Sequence, residues 1–287
     1  MQRGPENASG HESTGAVVIP RVISVNAIDP LGVRLNAVDG HLLSRKCACL
    51  PVHSGRIRPN GQTDLVSSRV EFELRQTLGF VSNPTVRIGA LLEARAVGVV
   101  AEVLEDFPGA RVSLDPEFCD RDGSMRRSEE IASEVRRKLL PHLDLICLNS
   151  AEAGWIIGRP VENKREQRDA AKALLDMGVG NVIVTGALLH THPVDVAAFP
   201  GSLDEVGTDR VPVDGPAAGF GGMLSALMSG SLALGWPESL PALLEVARER
   251  LTLSFRRAVF VALDATYLRV GKVKPPVGFW GPNSTSL

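Results

Sequence analysis

Residues 144–158 read DLICLNSAEAGWIIG, and the fold follows from how that stretch is read. Asp144 to Leu148 is a short apolar run of strand length, Ser150 to Ile157 is helical in character, and Gly158 is a stop signal. The same strand-then-helix unit recurs on both sides. Thr85 to Ile88 precedes a helical stretch from Leu91 to Phe107, which Pro108-Gly109 ends. Arg111 to Leu114 is strand-like and runs into Asp115-Pro116, and Ser128 to Leu140 then predicts a helix with Ile131, Val135 and Leu139 on one stripe. Lys164 to Met177 is amphipathic and closed by Gly178, Val182 to Thr185 is rich in β-branched residues, and a further helix covers about Gly222 to Leu234. Upstream, Val17 to Val25 predicts a strand leading into Asp29-Pro30-Leu31-Gly32. Short strands alternating with helices imply βαβ units around a mostly parallel sheet. Ligands of such sheets bind beyond the carboxyl ends of the strands. Asp29, Gly89, Asp115, Asn149 and Gly186 each follow a strand, so they are expected on one rim.

Composition narrows the function classes. The chain has 287 residues, with 31 Lys and Arg against 33 Asp and Glu, a formal charge of −2. That balance carries no basic footprint for nucleic acid, and no apolar run reaches the ~18 residues of a membrane span. Met1 to Gly15 is polar and lacks the apolar stretch of a secretory signal. Cys47, Cys49, Cys119 and Cys147 form no CxxC pair and read as reduced thiols of a cytoplasmic protein. Residues 1–16 read as a polar tail, 17–268 as a single domain and 269–287, with Pro275, Pro276 and Pro282, as an irregular C-terminal tail.

The most chemical-looking segment is Ala218-Gly219-Phe220-Gly221-Gly222, at the head of a helix running from Met223 to Leu234. A helix N-terminus offers unpaired main-chain N–H groups and a partial positive charge. Glycines there leave room for an anion to reach the amides. The alternative is a helix start that needs glycine only for close packing. The segment is neither a GxxxxGK[ST] loop nor a GxGxxG fingerprint in a first βαβ unit.

A glycine-rich helix start this late in an α/β chain resembles the ribokinase superfamily, and other segments fall into the matching order. From about Arg21 to Val261 the chain resembles hydroxymethylpyrimidine/phosphomethylpyrimidine kinases of thiamine biosynthesis, with pyridoxal kinases as the next relatives. Asp29-Pro30-Leu31-Gly32 and Ala37-Val38-Asp39 resemble the family's DPSGGAGIQAD-type first loop, and Arg87-Ile88-Gly89-Ala90-Leu91 its KIGML element. Leu114-Asp115-Pro116 resembles LDPV, Leu148 to Ala153 the TPNxxEA segment, Val184-Thr185-Gly186 the VKGG strand, and Gly219 to Gly222 the GTGC/GAGD anion hole.

The resemblance implies a ribokinase-like three-layer α/β/α sandwich with a mostly parallel central sheet. It implies ATP-dependent phosphorylation of a hydroxymethyl group on a pyrimidine, with Mg2+ as the metal. Gly219, Gly221 and Gly222 would hold the transferring phosphoryl group, and Asp29, His53, Gly89 and Ala90 would meet the substrate. Asp115, Asn149, Thr185 and Gly186 would meet the nucleotide, and Asn149 with Glu152 would place magnesium, directly or through water. Glu152 also reads as a helix N-terminal acid, and Asp115 as a turn residue before Pro116. A small molecule is the expected partner, without nucleic acid or membrane, and the chain is expected to pair as a homodimer.

Four departures bear on activity. Gly222 stands where the family carries an Asp or Cys base. Val33, Arg34 and Leu35 replace glycines of the first loop, Ala90 replaces a methionine, and His53 is the candidate for a ring-binding glutamine within Pro51-Val52-His53-Ser54. His53 equally reads as an exposed loop histidine. The expected enzyme is therefore weak; a non-catalytic nucleotide- or pyrimidine-binding protein on the same fold is the rival, and a pyridoxal kinase-like protein the third reading. His190-Thr191-His192, with Asp195 as sole nearby carboxylate, reads as a solvated loop, and no GxSxG elbow supports serine chemistry.

Overall fold

Alternating β-branched runs pair side by side to make one sheet. Its strands are β1 (Arg21–Ile28), β2 (Ala48–Ile57), β3 (Thr63–Leu65), β4 (Thr85–Ile88), β5 (Arg111–Leu114), β6 (Leu145–Asn149), β7 (Val182–Thr185), β8 (Val194–Phe199) and β9 (Ser202–Gly207). In the computed structural model the spatial order is β3-β2-β1-β4-β5-β6-β7-β8-β9. The structure describes residues 19–28, 47–58, 62–117, 128–186, 193–207, 220–236, 238–256, 258–261 and 270–273. β2 through β7 are mutually parallel in that order, while β3, β8 and β9 run antiparallel to their neighbours.

Helices α1 (Ser67–Phe80), α2 (Ala94–Asp106), α3 (Glu129–Glu134), α4 (Ser150–Ile157) and α5 (Lys164–Asp176) cover one face. Ile23, Val25, Val86, Ile88, Val112, Leu114, Ile146 and Val184 meet Val70, Leu74, Val97, Ile156 and Leu174 there, in the main apolar core. The other face carries α6 (Phe220–Ala233) and α7 (Leu240–Arg256), where Leu145, Cys147, Ile183 and Ala197 pack on Leu224, Met228, Leu244 and Leu251. The result is the expected three-layer α/β/α sandwich around a mostly parallel sheet.

The chain leaves β1 for β2 on one side and returns to β4 on the other, so the order reverses between β1 and β4. Sheets of this kind open a crevice at the carboxyl ends of the strands flanking such a reversal. Residue alternation sends Ile23 and Val25 to one face and Ser24 and Asn26 to the other. Register then aligns Ser24 with Arg87 and Arg87 with Ser113. All three are buried, and they form a polar band under α6. Ser113 Oγ and Ser229 Oγ lie 2.7 Å apart, and Ser229 Oγ donates to the Ser225 carbonyl at 2.7 Å.

Several elements differ from expectation. The strand expected over Val17 to Val25 is observed from Arg21 to Ile28, with residues 1–18 outside the described set. The helix expected over Ser128 to Leu140 is α only to Glu134; it widens to a π turn over Val135–Leu139 and tightens to a 3-10 turn at Leu140–His142, where Pro141 has no N–H to continue the ladder. His53 lies on β2, beside Asn26 in register, and not in a loop. Asp195 lies on β8 and is fully buried, while His190 and His192 fall outside the described residues. Val270–Val273 pairs antiparallel with Ala258–Val261, so regular structure enters the stretch from 269 that the prolines marked as irregular. Cys47, Cys49 and Cys147 form no disulfide among the described residues.

Candidate functional site

The glycine-rich helix start sits over the β4 and β5 strand ends. α6 begins at Phe220, two residues before the expected start, so Gly221 and Gly222 belong to its first turn. The main-chain N–H groups of that turn have no partner within the helix. Gly221 is exposed and Gly222 half-buried. Arg87 Nη2 donates to the Gly222 carbonyl at 3.1 Å and lies 3.5 Å from Asp115 Oδ2. A Cβ built on Gly222 would meet Asp115 Oδ2 at 3.7 Å, Arg87 Nη2 at 3.9 Å and Glu117 Oε1 at 3.9 Å. Residue 222 therefore lies beside Asp115 at the end of β5.

At the β1 and β4 ends the polar anchor is Asn26. Its Oδ1 accepts from the Ala27 and Ala90 N–H groups, each at 3.0 Å. Ser54 Oγ donates to the Ala90 carbonyl at 2.7 Å, so both main-chain groups of Ala90 are engaged and its side chain is buried. Gly89 is needed for this packing, because a Cβ there would lie 2.4 Å from Asn26 Nδ2. Gly89 and Ala90, expected at the substrate, are thus packed on the Asn26 side chain. His53 is half-buried on the same sheet face as Asn26, and its N–H lies 3.5 Å from Glu73 Oε2.

At the β6 end, Asn149 and Glu152 cap α4 reciprocally. Asn149 Oδ1 accepts from the Glu152 N–H at 2.9 Å, and Glu152 Oε2 accepts from the Asn149 N–H at 3.0 Å. Glu152 Oε2 and Asn149 Oδ1 are engaged in this capping box, so direct magnesium ligation through them would have to compete with it. Among the described residues, no group of three or more His, Cys, Asp or Glu is placed to hold a metal ion. Thr185 aligns with Asn149 in register.

Gly186 is held from behind. Its N–H donates to Asp195 Oδ1 at 3.0 Å, and Asp195 Oδ2 is ion-paired with Arg248 of α7. Burial pushes the Asp195 carboxyl above its ordinary range, against the pull of Arg248 and the Gly186 N–H. The Gly186 amide is thereby spent inside the protein, which removes it as a donor to a nucleotide. Burial likewise pushes the Cys147 thiol up, making it inert.

The structure thus brings Gly222, Asp115 and Gly221 to one corner. Asp29 and Gly219 lie outside the described residues. Arg87, Asn26 and Glu117 went unnoticed among the expected site residues. The signal for Arg87 was a lone cation inside the apolar strand Thr85 to Ile88.

The family model for phosphomethylpyrimidine kinase matches residues 60–262. The chain belongs to that family. Among family relatives, a Haemophilus influenzae hydroxymethylpyrimidine/phosphomethylpyrimidine kinase is 34% identical over 100 residues, covering 35% of this chain and 37% of the relative. The chloroplastic thiamine biosynthetic bifunctional enzyme TH1 of Arabidopsis thaliana is 30% identical over 166 residues, 57% of this chain and 32% of that protein. The chain thus spans only about a third of the length of these curated relatives. The fold extends further than the sequence match. Bacillus subtilis pyridoxal kinase, solved as an ADP complex, superposes with a TM-score of 0.77 at 19% identity, covering 90% of this chain and 98% of that one. A Clostridium difficile phosphomethylpyrimidine kinase gives 0.69 at 16% identity, with 81% and 98% covered. No helix among the described residues is long and apolar enough to cross a membrane.

Proposed function

We propose that the chain is a slow ATP-dependent kinase for a hydroxymethyl group on a small pyrimidine or pyridine ring. The observation that carries this reading is the glycine-rich first turn of α6, with residue 222 beside Asp115, Arg87 and Glu117, in a chain whose family match covers residues 60–262. ATP supplies the phosphoryl group. Amides at Gly221 and Gly222 without partners inside the helix, the positive helix end and the Arg87 guanidinium beneath it suit an anion that gains charge on its equatorial oxygens. Phosphoryl transfer depends mainly on such positioning and charge stabilisation. Asp115 borders the same corner at the nucleotide side, and His53 with Asn26 line the ring side. Magnesium belongs to the reading through its family, and the Asn149/Glu152 cap would reach it only through water.

Slowness follows from residue 222. General base assistance is worth ~10²–10⁴-fold, roughly 3–5 kcal/mol of barrier. Gly222 has no side chain to supply it. The same glycine favours a second reading, a protein that binds a nucleotide or pyrimidine without turning it over. The deciding assay is ADP release with ATP, magnesium and hydroxymethylpyrimidine or pyridoxal, for wild type and Gly222→Cys, alongside binding of a non-hydrolysable ATP analogue. Slow wild-type turnover with a gain in Gly222→Cys is the expected result. Analogue binding without release by either protein selects the binding reading, and failure of both proteins to bind the analogue removes the phosphate site.

A further inference from the structure

The chain has lost a base at one position and gained a carboxylate beside it. Where the LDPV element carries valine, this chain has Glu117. Its Oε1 lies 3.9 Å from the point where a side chain at 222 would begin, on the same side as Asp115 Oδ2 at 3.7 Å. The two acids are not equivalent. Asp115 is buried and ion-paired with Arg87, which ties it into the scaffold. Glu117 is half-buried at the rim and so is open to water. Its backbone is left-handed, φ 47°, a conformation uncommon outside glycine.

We infer that Glu117 is a partial substitute base of the proposed kinase, entering from β5 where residue 222 supplies none, so that turnover stays slower than with a base on α6 yet still depends on Glu117; this rests on the kinase reading. The substrate hydroxyl oxygen attacks the γ-phosphorus, and a new O–P bond forms as the bond to the bridging oxygen of ADP breaks. ADP departs with that electron pair. The hydroxyl proton passes to the Glu117 carboxylate and from there to water. Glu117 reaches over the void left by Gly222, so a carboxylate enters the same space from the β5 side and not from α6.

The test measures turnover of ATP with the ring substrate in wild type, Glu117→Gln, Gly222→Asp and the double variant, with analogue affinity and thermal unfolding for each. Glu117→Gln is expected to lower kcat about 100-fold or more, with analogue affinity and unfolding unchanged. Gly222→Asp in the Glu117→Gln background should recover most of that loss, which a merely structural role of Glu117 would not allow. If Glu117→Gln binds the analogue and retains kcat within threefold of wild type, the inference is overturned and the kinase reading stands. If wild type binds the analogue yet turns nothing over, a working Glu117 base is excluded. If wild type binds no nucleotide, both fall.

Discussion

Arg248→Met tests whether the second helical face is locked to the sheet by charge. Asp195 is fully buried on β8, and two groups satisfy it: the Gly186 N–H at 3.0 Å and the Arg248 guanidinium from α7. Methionine keeps the apolar stem of Arg248 and deletes the charge, leaving a carboxylate in a site that water cannot reach. Removing one partner of a buried pair costs about 3–5 kcal/mol. At about 2–4 °C per kcal/mol for a domain of this size, the midpoint of thermal unfolding should fall by roughly 6–20 °C. Asp195→Asn in the same background removes the orphaned charge and keeps an oxygen for Gly186, so the double variant should regain most of the loss. The defect also has a pH signature. Burial already raises the Asp195 carboxyl above its reference of 3.8, and without Arg248 the rise is larger. A raised carboxyl penalises the fold only where it is ionised in the native state; the penalty is full above the native pKa and gone below the unfolded one. The gap between wild type and Arg248→Met should therefore narrow as pH falls from neutrality toward about 4. A single variant within about 1 kcal/mol of wild type at pH 7, or a double variant no better than the single, refutes this account.

Two glycines of the candidate site should respond oppositely to a methyl group. A Cβ at Gly186 would lie 2.0 Å from the Val194 carbonyl oxygen, a main-chain atom that cannot step aside, so Gly186→Ala should cost about 3 kcal/mol or more in urea unfolding. At Gly222 the nearest atom is 3.7 Å away, an ordinary contact, so Gly222→Ala should be neutral or up to about 1 kcal/mol stabilising by the same measurement. On the acid side, Arg58 holds the Asp64 carboxyl below its usual value, Arg137 and Lys138 do so for Glu134, and the Glu162 N–H does so for Glu166. Carboxyls depressed in the native state stabilise it above their unfolded values and lose that contribution as pH falls. Unfolding midpoints should thus hold above about pH 4.5 and decline below it, and a flat profile from pH 5 to 3 would contradict these pairings.

The sheet was legible because its strands are short apolar runs bounded by Gly, Pro and Asp, and the parallel strands β4 to β7 fall where those boundaries put them. β2 was not, because Pro51 and His53 interrupt its alternation and its stability comes from pairing with β1 on one side and β3 on the other. The hairpin of β8 and β9 was hidden by Asp195, whose charge reads as a loop residue in sequence. Among the described residues it is matched by Arg248, 53 positions away. At the site, Gly222 was readable as a missing base, since a glycine in a known pattern is a loss visible in one position. Glu117 was not, because a gain elsewhere becomes meaningful only once β5 and α6 are brought together. Asn149 and Glu152 show the converse. Their spacing fits a phosphate-binding segment and a capping box equally, and only the paired bonds at 2.9 and 3.0 Å assign the cap.

Arg87 connects fold to function more directly than any expected residue. A buried guanidinium is costly unless charge and hydrogen bonds answer it. Here one nitrogen addresses both the Gly222 carbonyl at 3.1 Å and Asp115 Oδ2 at 3.5 Å, so a β4 residue ties down the first turn of α6 and the end of β5 together. Those are the elements whose ends form the anion corner. Arg87 engages the helix through a carbonyl, so it takes up none of the amides of the same turn, and its buried charge is shared with the Asp115 carboxylate. Lysine, the residue of the KIGML pattern, would present a flexible ammonium there in place of a planar guanidinium held in one orientation. In the kinase reading the stability spent on burying Arg87 is recovered as electrostatic preorganisation, already in place before any phosphate arrives.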